Sequence, residues 1–213
     1  MNRAVVFAVV GLVAGAALAA APPLPTLQPA EPLQGVGTIN DYLISSPANV
    51  QVRDGLLQID ALNAKDPVFA LRKDKAFQNV NATVQFRMDP VGTQRGLGLV
   101  FGSTSGSSHH AVHIERTSVV LYEYRPGQPP KELARRAGLT RPDGQWYEAR
   151  VETMGPQVKV FLDGRYLFGF SSPQLQAGHV GLYATGGRAW VRKFDVAGTP
   201  APALLPQTWG PRN

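Results

Sequence analysis

Apolar and polar residues alternate with a period of two along much of the chain. Between positions 77 and 88, Val80, Ala82, Val84 and Phe86 alternate with Asn79, Asn81, Thr83, Gln85 and Arg87. That is the side-chain period of a strand, so this run predicts a strand with one buried face. The segment VQVRDGLLQID (50–60) gives two short runs around Asp54-Gly55, a dipeptide that tolerates the positive φ of a tight hairpin turn. Segments 97–101, 111–115 and 118–124 are rich in Val, Leu, Ile and aromatic residues, and a Gly/Ser loop over 102–108 and a tight break at Arg116-Thr117 separate them. Over 146–152, Tyr147, Ala149 and Val151 alternate with Glu148, Arg150 and Glu152. Runs 158–162 and 165–170 flank a second hairpin signal, Asp163-Gly164, and the last two strands are expected over 179–184 and 189–196.

Only KELARRA (131–137) has a helix-like composition, and Pro129-Pro130 before it limits a helix there to a turn or two. About ten short strands separated by turn signals imply an all-β, two-sheet β-sandwich rather than alternating β-α units. No repeat of fixed period is present.

The ends change the picture. MNR followed by an uncharged apolar run and Ala17-Leu18-Ala19 reads as a signal peptide over 1–20, so an extracytoplasmic, periplasmic or secreted bacterial protein is expected. Mass spectrometry of the exported protein should find a chain beginning near Ala20 or Ala21; an intact Met1 in a membrane fraction would show an anchor instead. With the signal removed, no stable membrane span is expected. Segment 21–37 is a Pro-rich linker or arm, 38–197 the sandwich domain, and 198–213 a second Pro-rich tail in which Trp209 is the residue able to pin it back.

The chain has no cysteine, which excludes a disulfide framework and any thiolate nucleophile or thiolate metal site. A net charge of +6 and a pI near 9.8 would suit an anionic partner, but the basic residues are scattered, so no nucleic-acid site is expected. The oligomeric state has no signature in the sequence.

The pieces YEARVE after Trp146, VKVFLDGR, GHVGLYATGGRAWVRKFDV, the opening VRDGLLQID, FQNVNATVQFRM and GLGLVFG carry a resemblance. Together they resemble the concanavalin A-like lectin/glucanase jelly rolls, and more narrowly the 3-keto-disaccharide hydrolase domain family. The resemblance implies a jelly-roll sandwich over about residues 38–197 and a carbohydrate-associated role.

Candidate chemistry is sparse. The acidic E-x-D-x-E type pair of some jelly-roll glucanases is missing, and Glu148-x-x-x-Glu152 is interrupted by Arg150, which reads as a solvated charge pattern. Strand alternation puts His113 and Glu115 on one side with His109, where they have acid-base capacity; ligation from one strand is geometrically poor, so no metal and no cofactor is expected. Tyr122 and Tyr124 share a face on which a sugar ring could stack, Arg87 and Arg150 offer planar donors to hydroxyls or carboxylates, and Trp190 reads as core. The leading expectation is a module that binds a glycan or cell-envelope polysaccharide without catalysis. The alternatives are a hydrolase or lyase acting on a 3-keto glycoside, as the resemblance implies, and a periplasmic protein-interaction scaffold.

Overall fold

The computed structural model describes residues 34–105 and 107–202. The expected signal peptide and Trp209 lie outside the described residues. The strands are β1 (Tyr42–Ile44), β2 (Val50–Arg53), β3 (Leu56–Asp60), β4 (Val68–Met88), β5 (Gly96–Ser105), β6 (Ser108–Glu115), β7 (Ser118–Tyr124), β8 (Lys131–Ala137), β9 (Tyr147–Met154), β10 (Gln157–Leu162), β11 (Arg165–Ser171), β12 (Gly178–Thr185) and β13 (Arg188–Ala201). All pairings between them are antiparallel.

The 21-residue β4 belongs to two sheets. Its first part pairs with β1 and β12, and its second part with β9 and β13. The back sheet therefore runs β11-β10-β9-β4-β13-β3-β2, and the front sheet runs β1-β4-β12-β5-β6-β7-β8. Leu57, Phe86, Val151 and Phe194 of the back sheet share one buried cluster with Leu97, Leu99, Val112, Ile114 and Leu182 of the front sheet. Burial of these inward side chains is what holds the two layers face to face. The sandwich expected from the sequence is the fold.

Both Asp-Gly hairpins form as read. Asp54 and Gly55 have φ of 52° and 72°, and Asp163 and Gly164 have 49° and 75°, the two successive positive values that a two-residue hairpin turn of the primed type requires. Gly164→Val, which forces a β-branched residue into this region, should cost about 1–2 kcal/mol. Chemical denaturation reads the loss directly, and an unchanged midpoint would refute the turn's role.

Several expectations are corrected. KELARRA is strand β8, an edge strand paired with β7, and Leu133 and Ala134 pack on the core. Ladder hydrogen bonds and that burial outweigh a helix preference of at most about 0.7 kcal/mol per residue. The Gly/Ser loop is largely strand, since β5 extends to Ser105 and β6 starts at Ser108. Val36 is buried and Gly35 is held by Arg72 and Asp195, so the end of the Pro-rich arm belongs to the domain, and β13 runs past 197 to Ala201.

Trp190 is not core. The register of β13 shifts between Val191 and Lys193, so the inward positions run Ala189, Val191, Phe194 and Val196, while Trp190 faces outward opposite Arg87. Its indole donates to Asp89 Oδ1 at 3.0 Å.

The front sheet is apolar on its outer side as well. Leu71, Val100, Ala111 and Tyr183 form a second buried cluster there, flanked by Leu43, Phe69 and Tyr124.

Candidate functional site

The outer face of the front sheet owes its shape to glycine. In GLGLV of β5, Leu97 and Leu99 point into the core, which sends Gly96 and Gly98 outward. A Cβ on Gly98 would lie 2.1–2.5 Å from Tyr183 ring atoms, and one on Gly96 would lie 2.5 Å from the His113 ring. The two rings therefore lie directly on bare backbone, which only glycine permits.

From that floor a continuous aromatic surface extends. His113 stacks on Tyr183 with centroids 5.4 Å apart and planes 11° apart. Tyr183 is 5.0 Å from Phe69, whose ring meets His109 edge-on at 5.6 Å. His109 in turn stacks on Tyr124 at 4.3 Å, and the Tyr124 and Tyr183 hydroxyls are 3.2 Å apart. Tyr122, partly exposed, stands 6.5 Å from His113 and 6.1 Å from Tyr124.

Polar groups line the rim beyond His113. Glu115 accepts a 2.5 Å hydrogen bond from Ser118 Oγ and lies 3.9 Å from His113 Nε2. Arg135 donates to Ser118 Oγ at 3.2 Å and pairs with Glu132 at 2.7 Å. An open groove of about 870 Å³ lies here, lined by His113, Glu115, Tyr122, Tyr124 and Tyr183 together with Arg95 and Arg116. Tyr124 also borders a second hollow of about 340 Å³, whose polar wall includes His109, His110, Gln174 and the ion-paired Glu123 and Arg125.

Burial sets the protonation states. Desolvation lowers His113 to a pKa of about 4, against the opposing pull of Glu115, and lowers His109 to about 3, helped by neighbouring His110. Both imidazoles are neutral at physiological pH. The Tyr183 hydroxyl is pushed well above the usual tyrosine range by burial and by Tyr124 beside it.

Of the residues singled out in the sequence, His113, Glu115, Tyr122 and Tyr124 meet in the groove. Arg87 and Arg150 do not. They lie on the outer face of the back sheet, Arg87 against Trp146 and Trp190 at 5.4 and 5.6 Å, and Arg150 over Phe161 at 4.0 Å and paired with Glu152. Glu148 there accepts from Gln85, as a solvated strand face predicts. Among the described residues no group of three His, Asp or Glu is placed to hold a metal ion. Sequence reasoning missed Tyr183 and the glycine floor. The available signal was the strict Gly/Leu alternation of GLGLV, which leaves one face of a strand without side chains.

Residues 33–197 match the profile of the 3-keto-alpha-glucoside-1,2-lyase-like domain family. No curated protein sequence matches the chain. Among solved structures, the carbohydrate-binding module CBM66 from Bacillus subtilis is similar with a TM-score of 0.62 at 13% identity, over 75% of this chain and 93% of that one. A protein of unknown function with a galectin-like fold from Bacillus subtilis gives 0.58 at 13% identity, over 76% and 91%. The endo-β-1,3-glucanase from Pyrococcus furiosus gives 0.53 at 13% identity, over 73% and 79%. At these identities the likeness is one of fold.

Proposed function

Because the chain belongs to the 3-keto-alpha-glucoside-1,2-lyase-like domain family, we propose that it is an exported glycan-binding module whose site is the groove over the front sheet. The observation that supports this most is the groove itself, a floor of flat rings with a rim of donors and acceptors. Pyranose rings have apolar faces that stack on such rings and hydroxyls at their edges that need such a rim. Tyr122 is the anchoring ring, since it stands partly free above the floor rather than within it.

The second reading is hydrolysis or elimination at a 3-keto glycoside, as the family's description suggests. A base would have to take the proton from the carbon beside the ketone, and its pKa should lie near the working pH. His113, neutral but with a pKa of about 4, is a weak base for that task. Binding is accordingly the reading preferred, with His113 acting as a stacked wall and hydrogen-bonding group.

An oligosaccharide array probed with wild-type protein and with Tyr122→Ala tests the proposal. The variant should lose roughly 5- to 150-fold in affinity, the 1–3 kcal/mol of an anchoring contact, with its thermal midpoint almost unchanged. A silent array, or binding indifferent to Tyr122, would contradict the reading and favour the scaffold alternative. Turnover of a 3-keto glucoside would transfer the site to catalysis.

A further inference from the structure

Past Glu115 the groove opens into a small hollow bordered by Arg95, Arg116, Arg141, Asp143 and Tyr147. Arg141 is only 8% exposed and lies against the Tyr147 ring at 5.5 Å. Its Nε is buried without an acceptor, and the guanidinium forms no ion pair among the described residues.

The carboxylates whose field reaches it are Asp163, Glu115 and Asp143. Each is committed elsewhere. Asp163 accepts the Glu148 N–H at 2.8 Å, Glu115 accepts Ser118 Oγ at 2.5 Å, and Asp143 is paired with Arg95. Burial pushes the Arg141 pKa down to about 10, against the opposing fields of Tyr147 and these carboxylates. A buried guanidinium whose neighbouring carboxylates are engaged with other groups is stabilised further by an anion that comes against it.

We infer that this hollow receives the carboxylate of an acidic sugar, so that the glycan held in the groove carries uronic acid residues. The inference rests on the glycan-binding reading. Three observations fix the chemistry. Arg95, Arg116 and Arg141 outnumber Glu115 and Asp143, which selects an anion. The free volume is about 20 Å³, and since a water needs about 10–15 Å³, there is room for one oxygen of an anionic group whose sugar ring stays in the groove. The hollow also shares Arg95, Glu115 and Arg116 with the groove, so a carboxylate there would belong to a ring lying near Tyr122.

The test uses the full chain at low salt with an oligogalacturonide trimer and its carboxyl-reduced, neutral counterpart. The acidic trimer should bind on the order of tenfold tighter, as a charge-assisted pair with a guanidinium implies. Arg141→Gln should bring its affinity down to that of the neutral trimer. Equal binding of the two trimers by the wild type, or a preference that survives Arg141→Gln, overturns the inference while leaving the glycan-binding reading in place. If neither trimer binds and a wider array is silent, both readings fall together. Should the variant not fold, the Arg141 Nε–H resonance of the wild type decides: it should shift on addition of the acidic trimer and not of the neutral one, and a resonance indifferent to both overturns the inference.

Discussion

Lowering the pH from 7 to 4 should cost the fold about 3 kcal/mol at His109 and about as much again at His113, at ~1.4 kcal/mol per pH unit for each group. Both have folded pKa values, about 3 and about 4, below the ordinary 6.5. Between those limits the unfolded chain binds more protons, so stability is complete above about pH 6.5 and falls as the pH drops toward the folded values. Carboxylates held low by hydrogen bonds to Thr38 and Arg95, such as Asp41 and Asp143, add their own loss further down. The histidine share is therefore read best between pH 6.5 and 5.

His109→Phe isolates it. The His109 ring lies between Phe69 and Tyr124, and among the described residues neither of its nitrogens has a hydrogen-bond partner. A phenyl ring fits the same slot without the buried polar atoms, each of which costs about 1–3 kcal/mol when left unsatisfied. The variant should match or exceed the wild type at pH 7, and its loss on acidification should be smaller by up to ~1.4 kcal/mol per pH unit. Urea unfolding across this range measures both quantities; an unchanged acid slope would show that His109 is not held neutral.

Gly98→Val should destabilise the domain by about 3 kcal/mol, the upper end of what overpacking costs, and abolish glycan binding as well. A Cβ there would lie 2.1 Å from the Tyr183 ring, which is fully buried and has the Phe69 and His113 rings beside it. Tyr183 could not slide aside without displacing both. Gly98→Ala should show the same sign with smaller size. If a crystal structure of either variant retained Tyr183 in place and binding persisted, the glycine floor would have no role in the site.

Much of this was legible in the sequence because its grammar is local. Asp54-Gly55 and Asp163-Gly164 specify their hairpins by backbone conformation alone, and the alternation of Val80 to Phe86 specifies a buried face whatever lies across from it. The parity of His113, Glu115, Tyr122 and Tyr124 likewise survives into the groove, because β6 and β7 pair in a register that places Ala111 opposite Tyr122 and His109 opposite Tyr124.

What failed depended on tertiary context. Arg87 and Arg150 have outward parity too, but parity does not say which sheet a strand enters, and β4 enters both. Trp190 was misplaced because the register shift in β13 changes the phase of the alternation within a single strand. KELARRA reads as helix because its Lys, Glu, Leu, Ala and Arg residues favour one, and its pairing with the preceding strand β7 leaves no mark on that composition. Arg141, in an irregular stretch with no periodicity, gives no local signal of its burial.

The central claim, that the outer face of the front sheet is the glycan site, is tested most directly by mapping chemical shifts on the 22.9 kDa protein while titrating the tightest oligosaccharide from an array. The aromatic resonances of His113, Tyr122, Tyr124 and Tyr183 should move together, with the backbone of Glu115 and Arg95, while Trp146 and Trp190 on the back sheet stay fixed. Shifts concentrated at Trp146, Trp190 and Arg87, with the groove silent, would contradict the account.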